Sequence, residues 1–183
     1  VIEMAKASGL ALMDENALDP LAATSRGTGE LIASALNEGI RNILIGIGGS
    51  ATNDGGMGAA AALGVKFLDA GGNELSGCGR ELALVRKIDL SGLRSDVFEA
   101  KITVMCDVDN PLYGEKGATY IFGAQKGVTD EMKPLIDNDM KHFADKTKEK
   151  LGVSCEDIPG AGAAGGLGFA LLSYLNAELT PGA

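Results

Sequence analysis

Apolar positions along the chain fall into stretches of strand and helix length that alternate and are separated by glycine-rich or polar turns. The run "RNILIGI", residues 41–47, is continuously apolar after its first two residues, the pattern of a strand in a sheet covered on both faces. "KITVMCDV" (101–108) predicts a second clear strand that runs directly into the turn-rich "DNPLYGEKG", and "VKFLDAGGNEL" (65–75) a strand entering a glycine turn. Between them the period changes. Ser25 or Thr28 can cap a helix reaching Asn37, with Leu31, Ile32, Ala35 and Leu36 on one face and Gly39 as the stop.

A short alanine-rich helix is predicted from Gly56 to Leu63, ended by Gly64. From Thr129 onward "DEMKPLIDNDMKHFADKTKEKLG" reads as an amphipathic helix with Met132, Leu135, Ile136, Met140, Phe143 and Ala144 facing inward. His142, the only histidine, lies among the charges of that helix and reads as a bystander. "GAGAAGGLGFALLSYL" (160–175) reads as a glycine loop opening a small-residue helix. Residues 1–10 suggest a short strand or helix entry, 15–27 a polar loop around Pro20, and 76–99 irregular chain with helical pieces near Leu82–Val85 and Leu93–Phe98.

This alternation points to an α/β domain, a mixed sheet with flanking helices. With 183 residues and 45% apolar content, one good core is the expected organisation. No Trp is present, so that core must rest on Ala, Leu, Ile, Val and Met. A formal charge of −9 argues against nucleic acid or an anionic membrane surface as partner. No apolar run approaches the roughly 18 residues of a membrane span. Cys78, Cys106 and Cys155 form no C-x-x-C pair, which fits three ordinary thiols in a reducing compartment and a cytoplasmic location. The chain opens in apolar sequence without an initiating Met and stops on the turn signal "NAELTPGA", as a piece of a longer polypeptide would.

The segment "ILIGIGGSATNDGGMGAAAALG" (43–64) concentrates bare backbone beside one carboxylate. Gly48, Gly49 and Ser50 follow a buried strand, where ligands of open α/β sheets collect. "DGGMGAAAAL" (54–63) and "AGGLGFALLS" (164–173) each place glycines at the entry of an apolar helix. Such helix starts are candidate anion sites, because their amides are unpaired and their dipole favours negative charge. The same small residues would also permit close packing, the favoured role for Gly56, Gly58, Gly166 and Gly168.

Literal matches to the dinucleotide fingerprint occur at Gly46, Gly48 and Ala51 and at Gly160, Gly162 and Gly165. Against the first, "TNDGG" occupies positions where the fingerprint helix should already run; the second follows "CEDIP", a poor central strand. No P-loop is present.

Among charged residues, Asp107 and Asp109 follow a strand two residues apart, with Asn110 and Pro111 shaping the turn. Both could approach one cation or one hydroxyl, or simply form an Asx turn. Asp54 follows the other strong strand, and two acid-bearing loops at strand ends suit Mg²⁺-assisted phosphoryl transfer or a general base. Lys126 in "FGAQKG" could serve as a phosphate clamp.

Taken in order, "GIGGSATNDGGMGAAAALGVKFLD", "CDVDNPL", "FGAQKG" and "GAGAAGGLG" resemble the type I glycerate kinases of bacteria, and the resemblance extends over the whole chain. Ala124 stands where that family is expected to prefer proline. The resemblance implies ATP-dependent phosphorylation of D-glycerate with Mg²⁺, in a two-domain enzyme whose site lies between the domains. It further implies that this chain is the inserted second domain, packing against a Rossmann-like domain built from segments outside it and inactive alone. Asp54, Asp107, Asp109 and Lys126 are the candidate catalytic residues, with Asp107 and Asp109 on the metal. Gly48, Gly49, Ser50, Thr52, Asn53 and Asn110 are the candidate substrate contacts. A metabolite-binding module without catalysis and an NAD-dependent dehydrogenase are the alternatives.

Overall fold

The structure, a computed structural model, describes residues 1–182. Six strands and six α-helices follow one another as β1 (Ile2–Glu3), α1 (Ala5–Ser8), α2 (Arg26–Asn37), β2 (Asn42–Gly46), α3 (Met57–Ala62), β3 (Lys66–Leu68), β4 (Lys87–Asp89), β5 (Lys101–Met105), α4 (Ala118–Phe122), α5 (Lys133–Leu151), α6 (Ala163–Leu175) and β6 (Glu178–Thr180). The principal sheet has the order β1-β2-β5-β6 and is parallel throughout; β3 and β4 form a separate antiparallel pair. The α/β class expected from the alternation is therefore present, with parallel and antiparallel pairing assigned to different sheets.

Register at the sheet centre sets Ile43 beside Ile102 and Ile45 beside Val104. These four are buried, whereas Leu44, Thr103 and Met105 on the opposite face are half-buried. The two faces are thus unequally covered, unlike the expectation from the unbroken apolar run.

Small residues determine how closely the helices pack. A Cβ on Gly29 of α2 would lie 2.8 Å from both Ala59 Cα and Ala62 Cβ of α3, which explains why that pair has the most intimate helix contact. Phe67, Phe143, Tyr174 and Phe169 link β3, α5 and α6 through ring pairs 5.6–6.1 Å apart.

Three expectations change. α5 begins at Lys133 with Pro134 in its first turn, so Ile136, Met140, Phe143, Ala144 and Thr147 face inward while Leu135 is 67% exposed. In α2, Thr28 and Gly29 are buried and Leu31 is exposed. His142 is no bystander: its Nε2 lies 2.8 Å from the Val85 carbonyl oxygen, tying α5 to the chain before β4.

Candidate active site at the carboxyl ends of β2 and β5

Leaving β2, the chain crosses a loop rather than entering a helix. Gly48 and Gly49 are exposed there, Gly49 at φ 74°, and Ser50, Thr52, Asn53 and Asp54 turn inward and are buried. Backbone bonds from Leu10 to Gly49 and from Ala51 to Ser8, both 2.9 Å, fasten this loop to the end of α1. A helix running from Ala51, as a dinucleotide fingerprint requires, is absent; α3 starts only at Met57.

Asp54 is fully buried, and its carboxylate takes four protein donors. Oδ2 accepts from the Ser25 amide (2.7 Å), the Ser25 hydroxyl (2.8 Å) and the Gly58 amide (3.3 Å), while Oδ1 accepts from the Gly56 amide (3.0 Å). Burial raises its pKa, opposed by those four hydrogen bonds. The Ser25 hydroxyl in turn accepts from the Ala59 amide at 2.9 Å. The N-terminus of α3 is therefore capped from within the protein. Among the described residues the carboxylate is thus met by three amides and a hydroxyl, and it does not line the cavity that Lys126 lines.

The two similar glycine segments meet back to back. The Gly55 amide donates to the Gly165 carbonyl oxygen at 3.0 Å, and Gly56 and Gly165, at φ 73° and 65°, have no room for a Cβ against Ala170 and the Thr52 carbonyl respectively. Ala164, the residue before Gly165, also has positive φ (53°), uncommon for a side-chain-bearing residue.

Lys126 is the polar centre of the opening that remains. The turn Ala124–Lys126, closed by Gly127 at φ 97°, carries its side chain inward, where it is 2% exposed. Its Nζ donates to Ser50 Oγ (2.8 Å) and to the Thr52 carbonyl oxygen (2.7 Å), which leaves one ammonium proton uncommitted. Burial lowers its pKa to about 8, while the Asp54 charge acts the other way. Lys126, Ser50, Gly48, Gly49, Asp107 and Gln125 line a cavity of about 220 Å³, with an apolar wall that includes Ile47, Met105 and Phe122.

The remaining expected residues divide. Asp107 reaches the same cavity, where its Oδ1 accepts from the Gly182 amide at 2.7 Å; Asp109 lines only the adjoining cleft beside Pro159 and Thr180, which Asp107 shares. Asn110 uses its side-chain amide on the Lys116 carbonyl oxygen (2.8 Å), as a turn residue does. Asn53 donates to Thr119 Oγ1 at 3.1 Å, and its Oδ1 has no hydrogen-bond partner among the described residues. Gln125, Phe122 and Ala164 join the cavity without a signal of their own in the sequence. "FGAQKG" contains the first two without marking them, and nothing in the composition foretells a left-handed Ala164.

No group of three or more His, Cys, Asp or Glu side chains among the described residues is arranged to hold a metal. Asp107 and Asp109, both exposed and sharing one cleft, are nevertheless compatible with Mg²⁺, which needs only one or two carboxylates when substrate phosphates and water complete its shell. Among the described residues, no helix is long and apolar enough to cross a membrane.

An all-parallel sheet with a small anion-suited cavity at its strand ends defines an α/β ligand-binding domain of the kind found in metabolic enzymes. The family model described as the glycerate kinase family matches residues 1–183, and the chain belongs to that family. It is 54% identical over 181 residues to the glycerate 2-kinase of Escherichia coli K12 and 53% identical over 182 residues to the glycerate kinase of Bacillus subtilis 168. Those alignments cover 99% and 100% of this chain but 48% of each relative, so the chain spans about half the length of the curated relatives it matches. A solved crystal structure of a Salmonella typhimurium LT2 protein assigned as glycerate kinase 2 superposes with a TM-score of 0.97 at 48% identity, over 99% of this chain and 48% of that one.

Proposed function

We propose that this chain is the acid-binding part of a kinase that transfers a phosphoryl group from ATP to D-glycerate. The observation that supports this most is the seating of Lys126. A buried ammonium, fixed by Ser50 Oγ and the Thr52 carbonyl, lines a cavity beside the exposed backbone of Gly48 and Gly49. That set of donors suits the carboxylate of a short acid. At about 220 Å³ the cavity is below the roughly 300–1,000 Å³ typical of drug-sized ligands, which favours a three-carbon acid over a nucleotide.

In this reading Lys126 and the Gly48–Ser50 backbone bind and orient the acid, and the apolar wall excludes water from its carbon chain. Asp107 stands on the cavity rim, placed either to take the proton of the attacked hydroxyl or to share Mg²⁺ with Asp109. When bound, Mg²⁺ would offset the charge of the nucleotide phosphates. Asp54 acts as a positioning residue, holding the loop through Ser25, Gly56 and Gly58. ATP would be held chiefly by the remaining length that relatives carry, packed against this chain as a second domain, in the cytoplasm. An assay of glycerate-dependent ADP formation tests this, run on this chain alone and joined to that remaining length. Turnover of glycerate only in the longer form is expected; no turnover in the longer form would overturn it.

A further inference from the structure

A second cavity, remote in composition from the first, lies between β4 and α5. About 170 Å³ in volume, it is lined by Arg86, Lys87, Ile88, Lys146, Glu149 and Lys150. In a chain of formal charge −9, four cations face one carboxylate there. The elements explain the convergence: Lys146 and Lys150 are four residues apart on α5 and so share a face, while Arg86 immediately precedes and Lys87 opens β4, which packs on α5.

Pairing within the protein leaves most of that charge unsatisfied. Lys146 Nζ is 2.7 Å from Glu149 Oε2, but Arg86, Lys87 and Lys150 have no carboxylate within ion-pair distance among the described residues. Elsewhere Lys6, Arg41, Arg80, Arg94, Lys101, Lys133 and Lys148 have one, whereas Arg26, Lys66, Lys116, Lys126 and Lys141 have none among the described residues, so what sets this place apart is that three such cations converge on one cavity. Arg86 is moreover held in place. Its Nη1 donates to the carbonyl oxygens of Ala83 (2.7 Å) and Val85 (3.1 Å) and lies 3.2 Å from His142 Nε2, while Nε and Nη2 have no protein acceptor among the described residues. A guanidinium fixed along one edge with the other edge open is preorganised for a bidentate oxyanion, and flanking lysines add charge without demanding geometry.

We propose that this cavity is a binding site for a small anion bearing a phosphoryl group, separate from the cavity at Lys126. Its volume suits a phosphate or a short phosphate monoester, and Ile88, which is buried, gives the cavity an apolar floor.

The test titrates the full chain with inorganic phosphate and, separately, with glycerol 3-phosphate at constant ionic strength, following backbone amide NMR shifts. Saturable shifts confined to β4 and the facing turns of α5 are expected. In the double variant Lys87→Gln, Lys150→Gln, whose altered side chains are exposed, the affinity should fall about tenfold or more, while in Lys126→Met it should not change. Phosphate binding as tightly as the ester makes the free ion the ligand; tighter binding of the ester makes it a phosphorylated metabolite. Shifts that never saturate, that centre on the Ser50 loop, or that persist unweakened in the double variant would overturn the proposal.

Discussion

The Asp54 carboxylate accepts hydrogen bonds from both the amide and the hydroxyl of Ser25, at 2.7 and 2.8 Å, across 29 residues of sequence. Through that pair the start of α2 and the start of α3 share one buried carboxylate. Replacing Asp54 by Asn sets an amide NH₂ against donors and should cost about 3 kcal/mol, lowering the melting temperature by roughly 6–12 °C. Ser25→Ala removes one donor to Asp54 and the acceptor of the Ala59 amide, and should cost less, since the Ser25, Gly56 and Gly58 amides keep the carboxylate. Circular dichroism melts check both, and an Asp54→Asn variant as stable as the parent would show that the carboxylate is not structural.

Lys126 gives a pH dependence of defined sign. Its folded-state pKa, lowered from 10.5 to about 8, means that the unfolded chain binds the extra proton more readily than the folded one between those values. Stability contributed by this group therefore rises as pH increases from about 8 toward 10.5, and the cost of keeping the ammonium buried, about 3 kcal/mol, is fully present below pH 8. Lys126→Met should accordingly gain most relative to the parent at neutral pH, and the gain should shrink as the pH climbs. Urea unfolding of both proteins from pH 7 to 10 measures this; a pH-independent difference contradicts it.

Glycines of the loop after β2 and of the start of α6 should respond differently to alanine. A Cβ on Gly48 meets nothing within 4 Å, so Gly48→Ala should keep its melting temperature and weaken acid binding by crowding the cavity. Gly165→Ala combines positive φ, about 1 kcal/mol, with a collision against the Thr52 carbonyl, and should lower the melting temperature severely or prevent folding. Melting curves and glycerate titrations of the two variants check the contrast.

For Asp107 the expected effect is on metal dependence. Asp107→Asn leaves an acceptor for the Gly182 amide, so folding should be unaffected, while the Mg²⁺ concentration for half-maximal turnover in the longer polypeptide should rise about tenfold or more. An unchanged Mg²⁺ requirement would remove Asp107 from the metal.

What can be read from the sequence follows local rules. β2, α2 and β5 declare themselves by apolar period and by their stop residues, and the loop Gly48–Ser50 by its place after a strand. β4 and β6 do not, because three-residue strands bounded by Lys87 and Asp89, or by Glu178 and Thr180, carry too few positions for a period and owe their pairing to tertiary neighbours. The role of Asp54 is equally hidden. Its decisive partner, Ser25, is legible only as a helix cap, and nothing in "SATNDGG" says that the carboxylate turns inward to it. Lys126 is visible as a lone cation, but its burial depends on two acceptors 74 and 76 residues away.

The central claim is that the acid is held at Lys126 and Ser50. It is tested most directly by steady-state kinetics of Lys126→Met in the polypeptide that joins this chain to the remaining length of its relatives. The Michaelis constant for D-glycerate should rise about 100-fold or more, while that for ATP stays within about twofold. A variant whose glycerate constant is unchanged and whose ATP constant rises instead would contradict it.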